Sequence, residues 1–202
     1  VLKDRLPVPD ADVQPGDIKY KDLNNDHVIN EDDQCKIGHP TRPSYTFGLN
    51  YGADYKGFFF SMNWTGAAER SLLLEEFFRI PFGINSNNAL MQFHADNRWT
   101  PETAGSATVP RFATKTMTHN KTSSLWVKNG NYLKLKTVTL GYNFRNVAAL
   151  KKIGISELAI KLSGYNLLTF DKFKIMDPEC TPGLTDSYPI NKIYNLGVNI
   201  TF

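Results

Sequence analysis

The sequence is poor in the features that usually announce a function. It has only 2 cysteines in 202 residues, Cys35 and Cys180, too few and too far apart for a cysteine-based metal site. Its 4 histidines, His27, His39, His94 and His119, show no ligand spacing, and none is placed beside a nucleophile. There is no H-E-x-x-H, no phosphate-binding glycine loop and no triad pattern. These gaps argue against an enzyme. The formal net charge is only +3, which gives no argument for nucleic acid as a partner. No apolar run approaches the roughly 20 residues of a transmembrane helix. Barrel strands carry a much weaker signal per segment, so that gap leaves a membrane barrel open. The opening "VLKDRLPVPDADVQPGD" has no basic start, apolar core or small-residue cleavage site, so no signal peptide is visible and the start reads as mid-protein.

What the chain does have is aromatic residues, 12% of the total, set in alternating runs. In "YTFGLNYGAD", Tyr45, Phe47, Leu49 and Tyr51 alternate with Thr46, Gly48, Asn50 and Gly52. A period of two is the mark of a strand with one apolar and one polar face. The pattern recurs in "FFFSMNWTG", "YLKLKTVTLGYNF", "ISELAIKLSGYNLLTF" and "IYNLGVNITF". Strands are thus expected at about 44–54, 56–66, 131–144, 156–170 and 190–202. Residues 1–43 read as an irregular loop segment. Residues 67–130 form a long polar insertion with a helical turn or two at "LEEFFRI", and residues 171–189 a second long loop. "RNVAALKKIG" reads as a short amphipathic helix ended by Gly154. Connection lengths alternate, short then long. A barrel in a membrane places its long loops on one side and turns apolar side chains to lipid and small polar ones to the lumen. The expected fold is therefore all-β, an antiparallel transmembrane barrel. Five strands cannot close such a barrel, so other strands must complete it. The residues expected to face lipid include Phe58, Phe60, Met62, Trp64, Leu140, Leu158, Leu196, Val198 and the terminal aromatic Phe202.

The stretch "DLNNDHVINEDD" has the spacing of a calcium loop. Oxygen ligands would come from Asp22, Asn24, Asp26, the Val28 carbonyl, Asn30 and Asp33. His27 occupies the position where such loops place glycine for a sharp turn, and Asp33 is shorter than the usual glutamate. The alternative is a solvated acidic turn. Phe78, Phe82, Phe93, Trp99 and Trp126, in or beside the long insertion, could contact a substrate or a lid protein, or could form the loop's own small core. Asp177 and Glu179 in "MDPE" could be read as the carboxylate pair of a glycosidase, but a turn set by Pro178 explains them more simply.

In order along the chain, "PGDIKYKDLNNDHVINEDD", "IGHPTRPSYTFGLNYGADYKGFFFSMNWTG", "YLKLKTVTLGYNF", "YNLLTF", "MDPE" and "NLGVNITF" resemble the C-terminal third of a SusC/RagA-type TonB-dependent outer-membrane transporter. The resemblance covers about residues 15–66 and 130–202. It implies a 22-stranded barrel of which these are the last five strands, with a plug and a TonB-contacting segment lying outside this sequence. It implies a SusD-like surface lipoprotein as partner, and import of glycan or peptide. The family usually shows glycine where this chain has His27. If the last strand ends in the periplasm, loops 67–130 and 171–189 and the segment before Tyr45 are extracellular. Calcium would then stiffen an external loop. Cys35 and Cys180 would lie on one side of the membrane and become candidates for a disulfide, unless either pairs elsewhere. A secreted calcium-dependent carbohydrate-binding or adhesion module is the alternative; the long lipid-type strands oppose it.

Overall fold

The computed structural model describes residues 13–74, 76–81, 90–112, 121–179 and 190–202. The chain divides into two compact units. One comprises residues 39–71, 129–180 and 186–202; the other comprises residues 1–38, 72–128 and 181–185.

The first unit is a five-stranded antiparallel sheet. Its strands are β1 (Tyr45–Tyr55), β2 (Phe58–Ala68), β5 (Tyr132–Arg145), β6 (Glu157–Asp171) and β7 (Ile193–Thr201), paired in the order β1-β2-β5-β6-β7. No strand crosses another, so connection length alternates with the end of the sheet. Tyr55 and Phe58 are joined by Lys56 and Gly57, with φ of 47° and 92°. Two consecutive positive φ values are what a two-residue hairpin turn needs to match strand twist. The β5–β6 connection carries the short helix α3 (Ala148–Lys152), followed by Gly154 at φ 81°. Both long connections leave from the opposite end. Most strands have 9 to 15 residues, against the roughly 9–11 that span a bilayer when tilted.

Register shows why the alternation matters. Directly opposed residues point to the same face, and the pairs Phe58↔Tyr142, Phe60↔Leu140, Leu140↔Leu162, Leu162↔Leu196, Ile160↔Val198 and Leu158↔Ile200 run across four strands. The opposite face is lined mostly by polar groups, among them Lys161 opposite Gly141 and Gly197. Asn63 donates to the Asn50 side chain, and the Thr139 and Ser163 hydroxyls lie 3.1 Å apart.

One feature breaks the period. Lys136 faces two residues of β6, Asn166 and Leu167, while on the β2 side Asn63 and Trp64 pair with Thr137 and Leu135. This bulge reverses the parity of β5. Val138 and Leu140 point to the apolar face on one side of it, Leu133 and Leu135 on the other. Lys134 and Tyr132 thereby fall on the polar face, opposite Thr65 and Ala67.

A close approach fixes the polar face at Gly141. It pairs with Phe59, whose ring covers it: a Cβ there would sit 2.2 Å from the ring. Gly141→Ala is expected to destabilise the folded sheet by about 1–3 kcal/mol, as overpacking does. Urea titration in lipid should show that loss and its partial recovery in Phe59→Ala/Gly141→Ala. A single variant as stable as wild type would remove this constraint.

The second unit holds a single-turn 3₁₀ helix (Glu31–Asp33), the short helices α1 (Glu76–Arg79) and α2 (Gln92–Asn97), and a small core. A two-stranded ribbon pairs β3 (Ser71–Leu73) with β4 (Val127–Asn129). Leu72, Leu74, Phe78, His94, Val109 and Trp126 are buried in this unit. His94 donates from Nε2 to the Phe78 carbonyl at 2.7 Å. Asp17 and Arg111 form a two-point ion pair, with Nε–Oδ1 at 2.6 Å and Nη2–Oδ2 at 3.1 Å. The Trp99 ring packs so closely on Gly16 that a Cβ there would lie 2.5 Å from it. Among the described residues no helix is long and apolar enough to cross a membrane.

Candidate membrane-facing wall and loop sites

The apolar face of the sheet is uncovered. Leu140 is 52% exposed, Leu196 75% and Phe202 85%, and Tyr45, Phe47, Leu49, Tyr51, Phe58, Leu162 and Val198 are exposed beside them. Phe60, Met62, Trp64 and Leu158 share the face and are partly shielded by neighbours. Soluble monomers rarely leave so broad an apolar surface open. The aromatics gather toward its two ends. Tyr142 meets Phe58 and Phe144 edge to face, each at 4.6 Å, near the short turns. Trp64 stacks on Phe170 at 6.3 Å near the long connections. Aliphatic Met62, Val138, Leu140, Leu162 and Leu196 lie between. Aromatic girdles flanking an aliphatic belt suit a bilayer with two interfaces. The 11 steps from Leu133 to Phe144 rise about 36 Å at ~3.3 Å each, or roughly 28 Å at a tilt near 40°.

The acidic loop is organised from within. Asp22 accepts backbone N–H groups of Asn25 at 2.6 Å and His27 at 2.9 Å. Asp33 accepts from Leu23 at 2.7 Å and Asn30 at 2.9 Å, and Asp26 from Val28 at 2.8 Å. Those backbone donors hold the Asp33 carboxyl below the usual carboxylate range. His27 adopts φ 68°, the left-handed turn that glycine would take most easily. Among the described residues, however, no three His, Cys, Asp or Glu side chains come together as a metal site. Asp22, Asp26 and Asp33 direct their oxygens at the loop's own amides, and the remaining donors would have to come from Asn24, Asn30 and the Val28 carbonyl.

The aromatics expected to offer a contact surface divide. Phe78 and Trp126 are core side chains, 6% and 1% exposed, in keeping with the small-core alternative. Phe93 and Trp99 are half-buried, Phe93 against the His94 ring at 5.4 Å. Phe82 lies outside the described residues. Cys35 is exposed; Cys180 lies outside the described residues, and with it the expected pairing.

The carboxylates of "MDPE" flank a turn at Pro178 and Glu179, in line with the simpler sequence reading, and they are ion-paired as well. Asp177 is ion-paired to Lys134, whose side chain is only 1% exposed. Glu179 is paired to Lys136 and, at 3.2 Å, to Lys134, and it accepts from the Tyr132 hydroxyl at 3.2 Å. The sequence offered a signal for this cluster that strict alternation hides: Lys134 stands among apolar neighbours, and only the bulge puts it on the polar face. Burial pushes the Glu179 carboxyl up, but hydrogen bonds and charge from Lys136 and Lys134 outweigh it and hold it below its ordinary 4.5. A depressed carboxylate stabilises the folded state fully above its unfolded value and loses that contribution as pH falls through the folded one. Hydrogen exchange of the peptide spanning 172–179, corrected for intrinsic rates, is therefore expected to stay slow down to about pH 4.5 and to rise below it. Exchange that already rises between pH 7 and 5 would contradict this pairing.

An antiparallel sheet with a lipid-type face, a polar face and long connections at one end defines a class: part of a transmembrane β-barrel wall. Comparison with known proteins narrows it. The chain is 31% identical over 200 residues to TonB-dependent receptor P26 of Formosa agariphila, covering 93% of this chain and 20% of that protein. It is 29% identical over 205 residues to TonB-dependent receptor P3 of the same organism, covering 95% and 20%. Its fold matches a structure of the RagAB peptide transporter with a TM-score of 0.66 at 24% identity, covering 86% of this chain and 19% of that one. The RagAB peptide importer in its open-open state gives 0.68 at 23%, covering 91% and 20%. No family model matches the chain. The similarity is thus to TonB-dependent receptors, of which this chain spans about one fifth of the length.

Proposed function

We propose that this chain is a section of the barrel wall, with its external loops, of a TonB-dependent importer in the outer membrane. The observation that carries the reading is the uncovered apolar face, in register across five strands and backed by a polar face. The protein does no bond chemistry. It encloses a path whose gating belongs to a plug and a TonB-contacting segment outside this sequence. The resemblance to SusC/RagA-type transporters supports a SusD-like surface lipoprotein as partner. It also supports a glycan or a peptide as cargo. The full-length protein is expected to fractionate with the outer membrane and to need detergent for extraction, and its deletion should abolish TonB-dependent uptake of its cargo. Recovery in the soluble fraction would support the secreted binding module instead.

The loop 22–33 is proposed to take one calcium ion through Asp22, Asn24, Asp26, the Val28 carbonyl, Asn30 and Asp33, stiffening the segment that enters β1. The left-handed turn at His27 and the wrapping of the loop around Asp22 and Asp33 support it. Calorimetric titration of the metal-stripped protein should show one site, lost in Asp22→Ala and Asp26→Ala without loss of barrel assembly. No binding at millimolar calcium would leave the solvated acidic turn as the answer.

A further inference from the structure

We propose that Lys134 is a positioning residue that locks the root of the β6–β7 connection, residues 172–179, onto the polar wall of the sheet. The lock makes this segment a fixed part of the wall and not a hinged lid. The proposal does not depend on what is imported.

The chemistry is that of a buried charge with few alternatives. Lys134 is 1% exposed and has Asp177 and Glu179 as its partners. Lys136 in the bulge holds the same Glu179 from the side. Arg70, itself 7% exposed, donates from Nη1 to the Pro178 carbonyl at 2.5 Å and from Nε to the Thr41 carbonyl at 2.9 Å. Its backbone is pinned as well, with Arg70 N donating to the Asn131 side chain at 3.0 Å and Gly130 N donating to Arg70 O at 2.8 Å. Asp177 caps the turn by accepting from Glu179 N at 2.9 Å, and Phe173 beside it is buried. Three separate stretches, before β1, between β2 and β5, and after β6, therefore meet in one knot of three cations and two carboxylates. A buried ion pair gives little net stability over an apolar substitute, but removing one partner strands the other. Such a knot specifies one arrangement of loops that long connections would otherwise leave open.

The test uses full-length protein in outer-membrane vesicles and trypsin added outside, scoring cleavage after Lys172 and Lys174 against cleavage after the exposed Lys121. In the wild type the two knot sites are expected to be cut at least tenfold more slowly than Lys121. Lys134→Met should raise their cleavage about tenfold, and so should Asp177→Asn/Glu179→Gln. The combined neutral variant should lie within about threefold of either, because the same lock is removed only once. Lys136→Met removes the half-exposed arm; it is expected to assemble normally and to raise cleavage about threefold. Wild-type cleavage in Lys136→Met and either knot variant, or effects that multiply in the combined one, would overturn the lock. If Lys134→Met fails to assemble, the carboxylate variant and Lys136→Met decide the matter alone.

Discussion

Leu140→Arg is expected to cost the folded barrel about 2–4 kcal/mol, the penalty for a cation on the lipid face near the bilayer midplane. Leu140 is the right position because it is flanked on both sides by apolar partners, Phe60 and Leu162, and no polar group lies within its row. The side chain cannot find water there without bending the bilayer or the strand. Thr139→Arg, one residue away, points to the polar face beside Ser163 and should cost less in membrane terms. Urea titration of full-length protein folded into vesicles measures both. Equal costs at 139 and 140 would mean that the two faces of β5 meet the same medium.

Trp126→Ala should have the next largest effect, about 3–5 kcal/mol, from lost burial and the cavity left behind. Trp126 is 1% exposed and its carbonyl accepts from Leu74 N at 2.9 Å, so its ring and backbone both tie the unit together. The loss is expected to stay within the unit that holds it, since the sheet has its own interactions. Hydrogen exchange should show the Leu74 amide losing protection while amides of β5 and β6 keep theirs. A loss below about 1 kcal/mol would place Trp126 outside any cooperative core and return it to the contact surface.

Much of the sheet could be read from period alone, because each strand's partner on both sides repeats the same alternation. Phe58, Phe60, Met62 and Trp64 share a face for the same reason that Leu140 and Leu196 do. Three things could not be read this way. The bulge needed register between strands: apolar residues shift from Leu133 and Leu135 to Val138 and Leu140 across Lys136 and Thr137, but that shift alone does not say how the neighbouring strands pair there. The depth of Phe78 and Trp126 depends on contacts between segments far apart in sequence, and an aromatic residue in a polar insertion looks the same whether it is a core or a surface. The ion pairs of Asp177 and Glu179 link residues more than 40 positions apart. At the acidic loop, ligand spacing was plain in the sequence, while the turn of its carboxylates toward the loop's own amides was not.

Spin labels placed singly at residues 137–140, 142 and 143 of β5 in the full-length protein test the central claim most directly. The account predicts an alternation: labels at Val138, Leu140 and Tyr142 open to oxygen and closed to a water-soluble nickel chelate, with those at Thr137, Thr139 and Asn143 showing the reverse preference. Chelate access at Leu140, or no period of two along the strand, would contradict a wall that stands in lipid.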